Sequence, residues 1–221
     1  MIEHGIRYDH QREQRLGFDE AVYSASKSLA QLSALIAQAM DSGTSRLFTR
    51  LSPEQVQALA PAQREALDYD TRSRTAFVRA SARPLRDVGV AVLTAGSSDS
   101  PAAFEAVRTL AYYGYRAHCI EDVGVAGLWR LLEHVDMLRE MRVLIVSAGM
   151  EGALFSVVGG LLPGVVVALP TSVGYGVSAN GHAALQSALA SCAPGVLSVN
   201  IDNGYGAACA ALRMLRAMRS D

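Results

Sequence analysis

Hydrophobic residues in the second part of the chain form short runs that predict a parallel β-sheet. Most runs are rich in Val, Ile or Leu, and residues at helical spacing lie between them. The five runs lie at 88–93, 116–120, 143–146, 165–169 and 196–199. Strands buried on both faces have this composition, and crossover helices between them give a sheet that is covered on both sides. We therefore predict a three-layer, doubly wound α/β domain at 87–221, with ligands bound beyond the carboxyl ends of its strands.

The first 86 residues combine helical and strand-like patterns and predict a small α+β unit. Apolar positions early in this unit repeat at helical spacing, whereas shorter β-rich runs come later. The predicted elements are a long helix from Asp19 to Met40, strands at 47–49 and 75–78, and a helix after Ser52 and Pro53. The polar segment 81–87, which contains Pro84, is expected to separate the two domains, 1–86 and 87–221.

Residues 152–170 are apolar apart from Ser156 and carry no charge, so their composition imitates a membrane-spanning helix. Helix-breaking residues interrupt the segment near its middle. They are Gly159, Gly160, Pro163 and Gly164. We therefore predict a helix, a turn and a buried strand here, and no membrane partner.

The overall composition excludes several classes of protein. The 221 residues carry a net charge of -1, which supplies no basic field for a nucleic-acid backbone. The three cysteines include no C-x-x-C pair, so they indicate neither a disulfide framework nor a zinc ribbon. The N-terminal residues lack the apolar region of a secretory signal. We expect a cytoplasmic protein that binds no nucleic acid.

Charge is distributed unevenly along the second domain. Between Val143 and Leu212 the only formally charged side chains are those of Glu151 and Asp202. A stretch with so few charges makes a poor solvated surface, so we expect other subunits to cover part of it in an obligate oligomer. Each carboxylate lies in a glycine-rich loop after a predicted strand, where this fold places its chemistry, although either group could simply cap a helix.

The loop after the first strand of this domain is suited to binding an anion. It contains Ser97, Ser98 and Asp99 just before a predicted helix, and its small residues leave backbone amides accessible. A phosphate or carboxylate would fit there, but an N-cap role for Ser98 or Asp99 explains the sequence equally well. The loop matches neither the Walker motif nor G-x-G-x-x-G, which disfavours an ordinary NTPase or dehydrogenase.

Cys192 lies at the predicted end of a helix, before Pro194 and Gly195. The bend fixes the position of its thiol, but the carboxyl end of a helix does not stabilise a thiolate. Taken alone, the pattern favours a buried, inert cysteine over a nucleophile. Cys119, within a strand, and Cys209, on an apolar helix, are expected to be structural.

Histidine and lysine add little to the candidate chemistry. His182 is the only histidine in the low-charge stretch, and it has no second ligand at metal spacing. It indicates a hydrogen-bonded structural residue rather than a zinc site. Lys27, the single lysine, is expected at a solvated helix position. We predict no resident metal and no certain cofactor, and the residues leave open whether Mg²⁺ assists.

Five segments, in order along the chain, resemble the signature runs of one enzyme family. They are DVGVAG at 122–127, AGMEGAL at 148–154, PTSVGYG at 170–176, SCAPG at 191–195 and NIDNG at 200–204. The family is LarB, the pyridinium-3,5-biscarboxylic acid mononucleotide synthase of nickel-pincer nucleotide biosynthesis. The resemblance covers about residues 9–215. The second domain, notably GSSD at 96–99, is more weakly similar to the PurE aminoimidazole ribonucleotide carboxylases.

The resemblance implies a fold, a reaction and a set of residues. The second domain would be flavodoxin-like and PurE-like, and the chain would assemble as a homo-octamer. It would carboxylate the pyridinium ring of nicotinic acid adenine dinucleotide with CO2 and hydrolyse its phosphoanhydride to release AMP. Cys192 would be the nucleophile, and Glu151 would be the second catalytic residue. The positions expected to bind substrate are Ser97, Ser98, Asp99, Asp122, Thr171, Ser172, Tyr175, Asp202 and Asn203.

One departure and one alternative accompany the resemblance. The family usually has a histidine where this chain has Trp129, so no role for that histidine is carried over. The alternative function is that of an aminoimidazole ribonucleotide carboxylase or mutase of purine biosynthesis. PurE relatives rely on a histidine in the loop after the third strand, where this chain reads AGMEGAL, so the LarB function is preferred.

Overall fold

The structure is a computed structural model that describes residues 8, 9, 11–78 and 84–218. The chain forms two compact units, residues 1–84 and 85–221. The segment 81–87, expected between the two domains, lies partly outside the described residues.

The described part of the first unit contains four strands and four helices. The strands are β1 (Val22–Tyr23), β2 (Arg46–Thr49), β3 (Leu67–Asp70) and β4 (Thr75–Val78). The helices are α1 (Arg12–Leu16), α2 (Leu29–Ser42), α3 (Pro53–Ala58) and α4 (Pro61–Glu65). The strands form a mixed sheet in the order β1-β2-β4-β3. Buried side chains of α2, including Leu32 and Ile36, share one core with Phe48 of the sheet.

The prediction of one long helix at 19–40 is wrong. The chain forms the strand β1 in this segment and starts α2 only at Leu29. Ser28 fixes this start, because its hydroxyl accepts a hydrogen bond from the Gln31 amide while the Gln31 side chain accepts one from the Ser28 amide. Lys27, expected on a helix, therefore lies before it. The other predicted strands of this unit and the helix α3 are confirmed, whereas β3 is an additional strand.

The described part of the second unit contains five strands and six α-helices. The strands are β5 (Arg86–Thr94), β6 (Tyr115–Ile120), β7 (Val143–Ala148), β8 (Val165–Pro170) and β9 (Leu197–Ser198). The helices are α5 (Ser100–Tyr112), α6 (Trp129–Leu132), α7 (Val135–Arg139), α8 (Ala153–Leu161), α9 (His182–Leu189) and α10 (Gly204–Ala217). The five predicted strands are therefore confirmed, and they form one parallel sheet in the order β6-β5-β7-β8-β9.

Helices cover both faces of this sheet, which confirms the three-layer doubly wound architecture. One face packs on α5 and α10 and buries residues such as Ile145 and Leu212. The other face packs on α6 to α9 and buries residues such as Phe155. Between β6 and β7, apolar residues from Leu128 to Leu138 recur at helical spacing, and the structure divides this segment between the two short helices α6 and α7.

The apolar segment 152–170 forms α8, a turn and β8, as predicted. None of the helices in the described ranges is long and apolar enough to cross a membrane. Both α8 and α9 start at the carboxyl edge of the sheet and run back toward its amino edge, because each follows one parallel strand and leads into the next. The loops after the strands therefore gather at one edge, where ligands bind in this architecture.

Candidate active site

The loops after β5, β6, β7 and β8 enclose a pocket of about 360 Å³ at the carboxyl edge of the sheet. Its wall includes Ser98 and Asp99 after β5, Glu151 after β7 and Val173 after β8. Arg130 of α6 also lines it. The pocket thus lies at the edge of the sheet where the strand pattern predicts the site.

Glycines allow these loops to touch one another through their backbones. A Cβ atom on Gly124 would lie 2.5 Å from the Ala95 carbonyl oxygen. One on Gly149 would lie 2.2 Å from the Val173 carbonyl oxygen, so both positions need glycine. The Met150 amide also donates a hydrogen bond to the Val173 carbonyl over 2.8 Å. The loops after β5 and β6, and those after β7 and β8, are therefore joined in pairs that fix the shape of the pocket.

Asp99 lines the pocket with only 4% of its surface exposed. Its Oδ1 accepts a hydrogen bond from the Thr171 hydroxyl at 2.5 Å, and its Oδ2 accepts one from the Gly96 amide at 2.8 Å. Burial raises the pKa of Asp99, and hydrogen bonds from Thr171, Gly96 and Gly149 oppose that rise. Its side chain makes no capping hydrogen bond to α5, but the bond from the Gly96 amide caps the short 3-10 turn at 97–99, so a capping role accounts for part of its contacts.

Arg130 brings positive charge to the pocket, and the sequence patterns did not single it out. Its Nη1 pairs with Oδ2 of Asp122, and its Nε donates to the Gly127 carbonyl oxygen at 3.5 Å. A Cβ atom on Gly127 would lie 2.8 Å from the Arg130 Nε, so this glycine leaves room for the guanidinium group. The backbone at Asp122 is left-handed, with φ of 58°. An arginine eight residues after an aspartate, across a loop with two glycines, is the signal that could have revealed the pair.

Glu151 is exposed at the pocket, in the turn between β7 and α8. Its neighbour Met150 has a φ of 51°, a left-handed conformation that is uncommon for residues other than glycine and clusters at functional sites. In the part of the chain that the structure describes, the Glu151 carboxylate accepts no hydrogen bond and does not cap α8. The capping alternative for Glu151 is therefore wrong, and its carboxylate is accessible to a ligand.

Other predicted positions stabilise the loops around the pocket. The Asp202 carboxylate accepts a hydrogen bond from the Ser172 amide at 2.8 Å, which joins the loops after β8 and β9. Asn203 caps α10, because its Oδ1 accepts a hydrogen bond from the Gly206 amide at 2.8 Å. Tyr175, by contrast, is 77% exposed. In the single chain, Asp202 and Asn203 therefore hold the backbone of neighbouring loops and helices, and Tyr175 faces solvent.

The pocket therefore brings together only part of the predicted set. Ser98, Asp99 and Glu151 line it, and Thr171 and Asp122 contact side chains that line it. The predicted residues outside its lining are Ser97, Ser172, Tyr175, Asp202, Asn203 and Cys192.

Cys192 lies on an exposed turn after α9. The turn packs on α8, where the Ser191 and Ser156 hydroxyls are 2.7 Å apart. A Cβ atom on Gly159 would lie 2.9 Å from the Ala193 Cβ, which shows how closely the turn approaches the helix. Gly159 is six residues beyond the start of α8, or about 9 Å along its axis. The expectation of a buried cysteine is wrong, and Cys192 is not among the residues that line the pocket.

The remaining cysteines and His182 occupy varied positions. Cys119 is exposed on the edge strand β6, so it does not have the buried position expected of a structural cysteine. Cys209 is half-buried on α10. His182 is exposed at the first position of α9. A buried, hydrogen-bonded structural role, as expected from the sequence, does not describe this position. Within residues 8, 9, 11–78 and 84–218, no three His, Cys, Asp or Glu side chains are grouped so that they could hold a metal ion.

Comparison with known proteins agrees with the fold and the motifs. A family profile described as the LarB/PurE-like N-terminal domain matches residues 4–80. The uncharacterized protein MJ0165 of Methanocaldococcus jannaschii is 34% identical over 215 residues, which cover 93% of this chain and 82% of that protein. A crystal structure of a serine-to-aspartate variant of Treponema denticola PurE2 shares the fold, with a TM-score of 0.50, 22% identity, and coverage of 61% of this chain and 83% of that one. The chain belongs to the LarB family and carries a PurE-like α/β domain.

Proposed function

We propose that this chain carboxylates the pyridinium ring of nicotinic acid adenine dinucleotide with CO2 and hydrolyses its phosphoanhydride. The products are pyridinium-3,5-biscarboxylic acid mononucleotide and AMP. Family membership supports a carboxylase- or mutase-type enzyme of the PurE superfamily. Our proposal goes further, because it names the dinucleotide as the substrate. The observation that carries the extension is one arginine and two carboxylates around a single pocket.

The pocket offers opposite charges to the two ends of such a substrate. Arg130 and the loop at Ser98 suit a phosphate, because a guanidinium group donates paired hydrogen bonds and amides at the start of a helix point toward an anion. The carboxylates of Asp99 and Glu151 favour a positively charged ring. Asp122, the present partner of Arg130, is half-exposed, so exchanging it for a phosphate costs little. A ligand that carries both phosphates and a pyridinium cation matches this distribution.

The chemistry requires a nucleophile because a pyridinium ring is too electron-poor to attack CO2. Addition of the Cys192 thiolate to a ring carbon forms a C–S bond and converts the ring to an uncharged dihydropyridine, which contains an enamine. A nucleophilic carbon of the enamine then attacks CO2 and forms the new C–C bond. Loss of the proton from that carbon and expulsion of the thiolate restore the aromatic cation, so the step needs no oxidant.

Glu151 can supply the base that this reaction requires. Its carboxylate lies at the pocket and accepts no hydrogen bond from the other described residues. It can take the ring proton that is lost after carboxylation, or it can deprotonate the water that cleaves the phosphoanhydride. That cleavage consumes one water and releases AMP, which balances the overall reaction.

Incubation with nicotinic acid adenine dinucleotide and ¹³C-bicarbonate tests the proposal. Mass spectrometry should detect AMP and a mononucleotide that has gained one labelled carboxyl group. Glu151→Gln should slow product formation by about a hundredfold or more, as expected for loss of a general base. Glu140→Gln is the matched control, because Glu140 is an exposed glutamate just before β7, at the opposite edge of the sheet.

A parallel reaction with aminoimidazole ribonucleotide separates the two carboxylase functions. The proposal predicts no labelled carboxylate on that nucleotide. Carboxylation of aminoimidazole ribonucleotide without turnover of the dinucleotide would overturn the proposal in favour of a PurE-type activity.

A further inference from the structure

Trp129 is a large apolar side chain that the structure leaves exposed near the pocket. It is the first residue of α6, and 63% of its surface is exposed. Leu128 and Leu132 are 38% and 50% exposed, and they lie at helical spacing on the same face. We call Leu128, Trp129 and Leu132 the α6 surface. Contiguous apolar side chains of this size mark a place where a ligand or another surface binds.

The α6 surface adjoins the pocket. The residues Val125–Gly127 form a short 3-10 turn that leads directly into α6. Val125 and Ala126 line the pocket, and they lie four and three residues before Trp129, on the same face of this helical segment. The Cα–Cβ bond of a helical residue also tilts toward the amino end of its helix, so the indole ring extends toward these two residues.

The pocket is too small for the whole of the proposed substrate. Its volume of about 360 Å³ is at the low end of the ~300–1,000 Å³ of small-molecule sites. A dinucleotide has two aromatic rings, two ribose rings and two phosphates, so one half of it fills such a pocket and the other half lies outside. The proposed reaction places the pyridinium ring beside Asp99 and Glu151, so the half that lies outside is the one that carries adenine.

The charges next to the α6 surface orient this adenine half. Arg130, the residue after Trp129, lines the pocket and is proposed to bind a phosphate. The diphosphate joins the two halves of the substrate, so a phosphate at Arg130 leaves the adenine only one ribose away. Glu133 is exposed four residues after Trp129, and its charge disfavours a phosphate on the α6 surface itself. Adenine is uncharged, and an indole ring binds its flat face by stacking.

We propose that Trp129 binds the adenine ring of the dinucleotide by stacking, while Arg130 holds the diphosphate at the mouth of the pocket. The inference rests on the proposed function, which supplies the dinucleotide. Its consequence is a preference for dinucleotides over nicotinic acid mononucleotide, because the stacked base adds binding energy away from the reacting ring. Stacking does not recognise the hydrogen-bonding edge of a base, so other purine dinucleotides should share this preference.

Intrinsic fluorescence tests the contact directly, because Trp129 is the only tryptophan of the chain. The probe is ADP-ribose, which carries adenine and the diphosphate but lacks a pyridinium ring that could itself quench the indole. ADP-ribose should quench the emission of the parent protein in a saturable manner, whereas ribose 5-phosphate should leave it unchanged. Emission that ADP-ribose does not change would overturn the inference, as would equal quenching by ribose 5-phosphate, since no base would then be needed.

Calorimetry measures what the stacked ring contributes to binding. Trp129→Ala should weaken the binding of ADP-ribose by about ten- to hundredfold, as expected for the loss of a base–aromatic stack. Trp129→Phe should retain most of the affinity, because a phenyl ring also stacks. Nicotinic acid mononucleotide, which has no adenine, should bind to both variants as it does to the parent. Trp129→Ala that binds ADP-ribose as tightly as the parent would overturn the inference.

Met137→Ala is the matched control for these measurements. Met137 is an exposed apolar residue of the neighbouring helix α7, and it does not line the pocket. This variant should bind ADP-ribose and nicotinic acid mononucleotide as the parent does. An equal loss of ADP-ribose affinity in Met137→Ala and Trp129→Ala would overturn the inference, because the loss would then not depend on the indole.

The outcomes for the inference and for the proposed function can be told apart, because binding of ADP-ribose requires no turnover. If the dinucleotide is not carboxylated but ADP-ribose quenches Trp129 and binds more weakly to Trp129→Ala, the purine site stands and the proposed function fails. If the parent and Trp129→Ala carboxylate the dinucleotide with the same KM, the proposed function stands and the inference fails. If both are right, Trp129→Ala raises the KM for the dinucleotide by about ten- to hundredfold.

Discussion

The pocket and the Cys192 turn belong to the same unit but are held in place very differently. Around the pocket, Gly124 and Gly149 let loop backbones touch, and hydrogen bonds from Thr171, Gly96 and Gly149 fix the Asp99 carboxylate. The Cys192 turn meets α8 through the hydroxyls of Ser191 and Ser156 and through the approach of Ala193 and Val196 to Gly159. Within the turn, the Ala193 amide donates a hydrogen bond to the Ser191 hydroxyl at 3.2 Å. Among the described atoms, nothing lies within 4 Å of a Cβ atom built on Gly195 at the end of this turn.

The difference indicates how firmly each part of the candidate site is fixed within the chain. A binding site works best when its donors and acceptors are fixed before the ligand arrives, and the joined loops of the pocket meet that condition. The thiol, by contrast, lies on an exposed turn after α9, close in sequence to the exposed side chain of Leu189. Changes that separate the joined loops should therefore alter stability and substrate binding together, whereas changes at Cys192 should alter the chemistry alone.

The largest effect is expected from Cys192→Ser. Serine is nearly isosteric with cysteine, but its hydroxyl is a far weaker nucleophile than a thiolate at neutral pH. We expect carboxylation of the dinucleotide to fall by at least about a thousandfold, because a step that depends on covalent addition cannot proceed. The free energy of unfolding should change by no more than about 1 kcal/mol, since the side chain is exposed.

Two further cysteines provide controls for that experiment. Cys119→Ser and Cys209→Ser should retain turnover in proportion to their stability. In the parent protein, a dinucleotide analogue that cannot complete the reaction should leave a covalent adduct, seen as a mass increase on the peptide that contains Cys192. Normal turnover by Cys192→Ser, or an adduct on another cysteine, would contradict the covalent mechanism.

The next largest effect is expected from Gly149→Ala, which tests whether the pocket loops are held as closely as their contacts indicate. The added methyl group would lie 2.2 Å from the Val173 carbonyl oxygen, so the loops after β7 and β8 must separate. We expect a loss of about 1–3 kcal/mol in the free energy of unfolding, measured by urea denaturation, together with weaker substrate binding.

Gly160→Ala is the matched control for that substitution. Gly160 lies on α8, and a Cβ atom there would meet no atom within 4 Å. Alanine in a helix should be neutral or should stabilise the protein by up to about 1 kcal/mol. If Gly149→Ala unfolds like Gly160→Ala, the loops are not fixed, and the contrast with the Cys192 turn fails.

Arg130→Gln should have a smaller effect, confined to substrate binding. The substitution removes the positive charge that is proposed to bind a phosphate, which lies away from the reacting ring. We expect kcat/KM to fall by about tenfold, mostly through a higher KM. Arg139→Gln provides the control, because Arg139 also pairs with a carboxylate, that of Asp136 at 3.2 Å, but does not line the pocket. Equal losses in both variants would show that overall charge, rather than the pocket, governs binding.

The fold of the second unit could be predicted from its sequence because the signal is local. Each strand is a short apolar run, and Pro163 and Gly164 mark the turn that ends α8 before β8. The first unit was harder, because the start of α2 depends on reciprocal hydrogen bonds between Ser28 and Gln31, and helical spacing alone extended the helix through β1.

The candidate site could be predicted only as far as the topology determines it. Parallel strands place the loops that carry Asp99 and Glu151 at one edge, and these residues do line one pocket. The pairing of Arg130 with Asp122 and the packing of the Cys192 turn on α8 depend on how helices and loops pack, and spacing along the chain does not contain this information.

The smallest effect concerns the electrostatics of the pocket. Burial raises the pKa of Asp99, so the folded protein holds the Asp99 proton more tightly than the unfolded chain does. The stabilisation from this proton is complete below the pKa of the unfolded carboxyl group and is lost as the pH rises through the folded pKa. The free energy of unfolding of the parent protein should therefore fall as the pH rises through the folded pKa of Asp99.

Asp99→Asn keeps a neutral group of similar shape at every pH. Its carbonyl oxygen can accept the hydrogen bond from the Gly96 amide, and its amide group can donate to the Thr171 hydroxyl oxygen, so these two of the three contacts of Asp99 survive. The free energy of unfolding of the parent should therefore fall relative to that of the variant as the pH rises, measured by urea denaturation between about pH 4 and pH 8. Parallel curves for the two proteins would mean that the fold does not perturb this carboxylate, and the pocket would then be as open to water as the Cys192 turn.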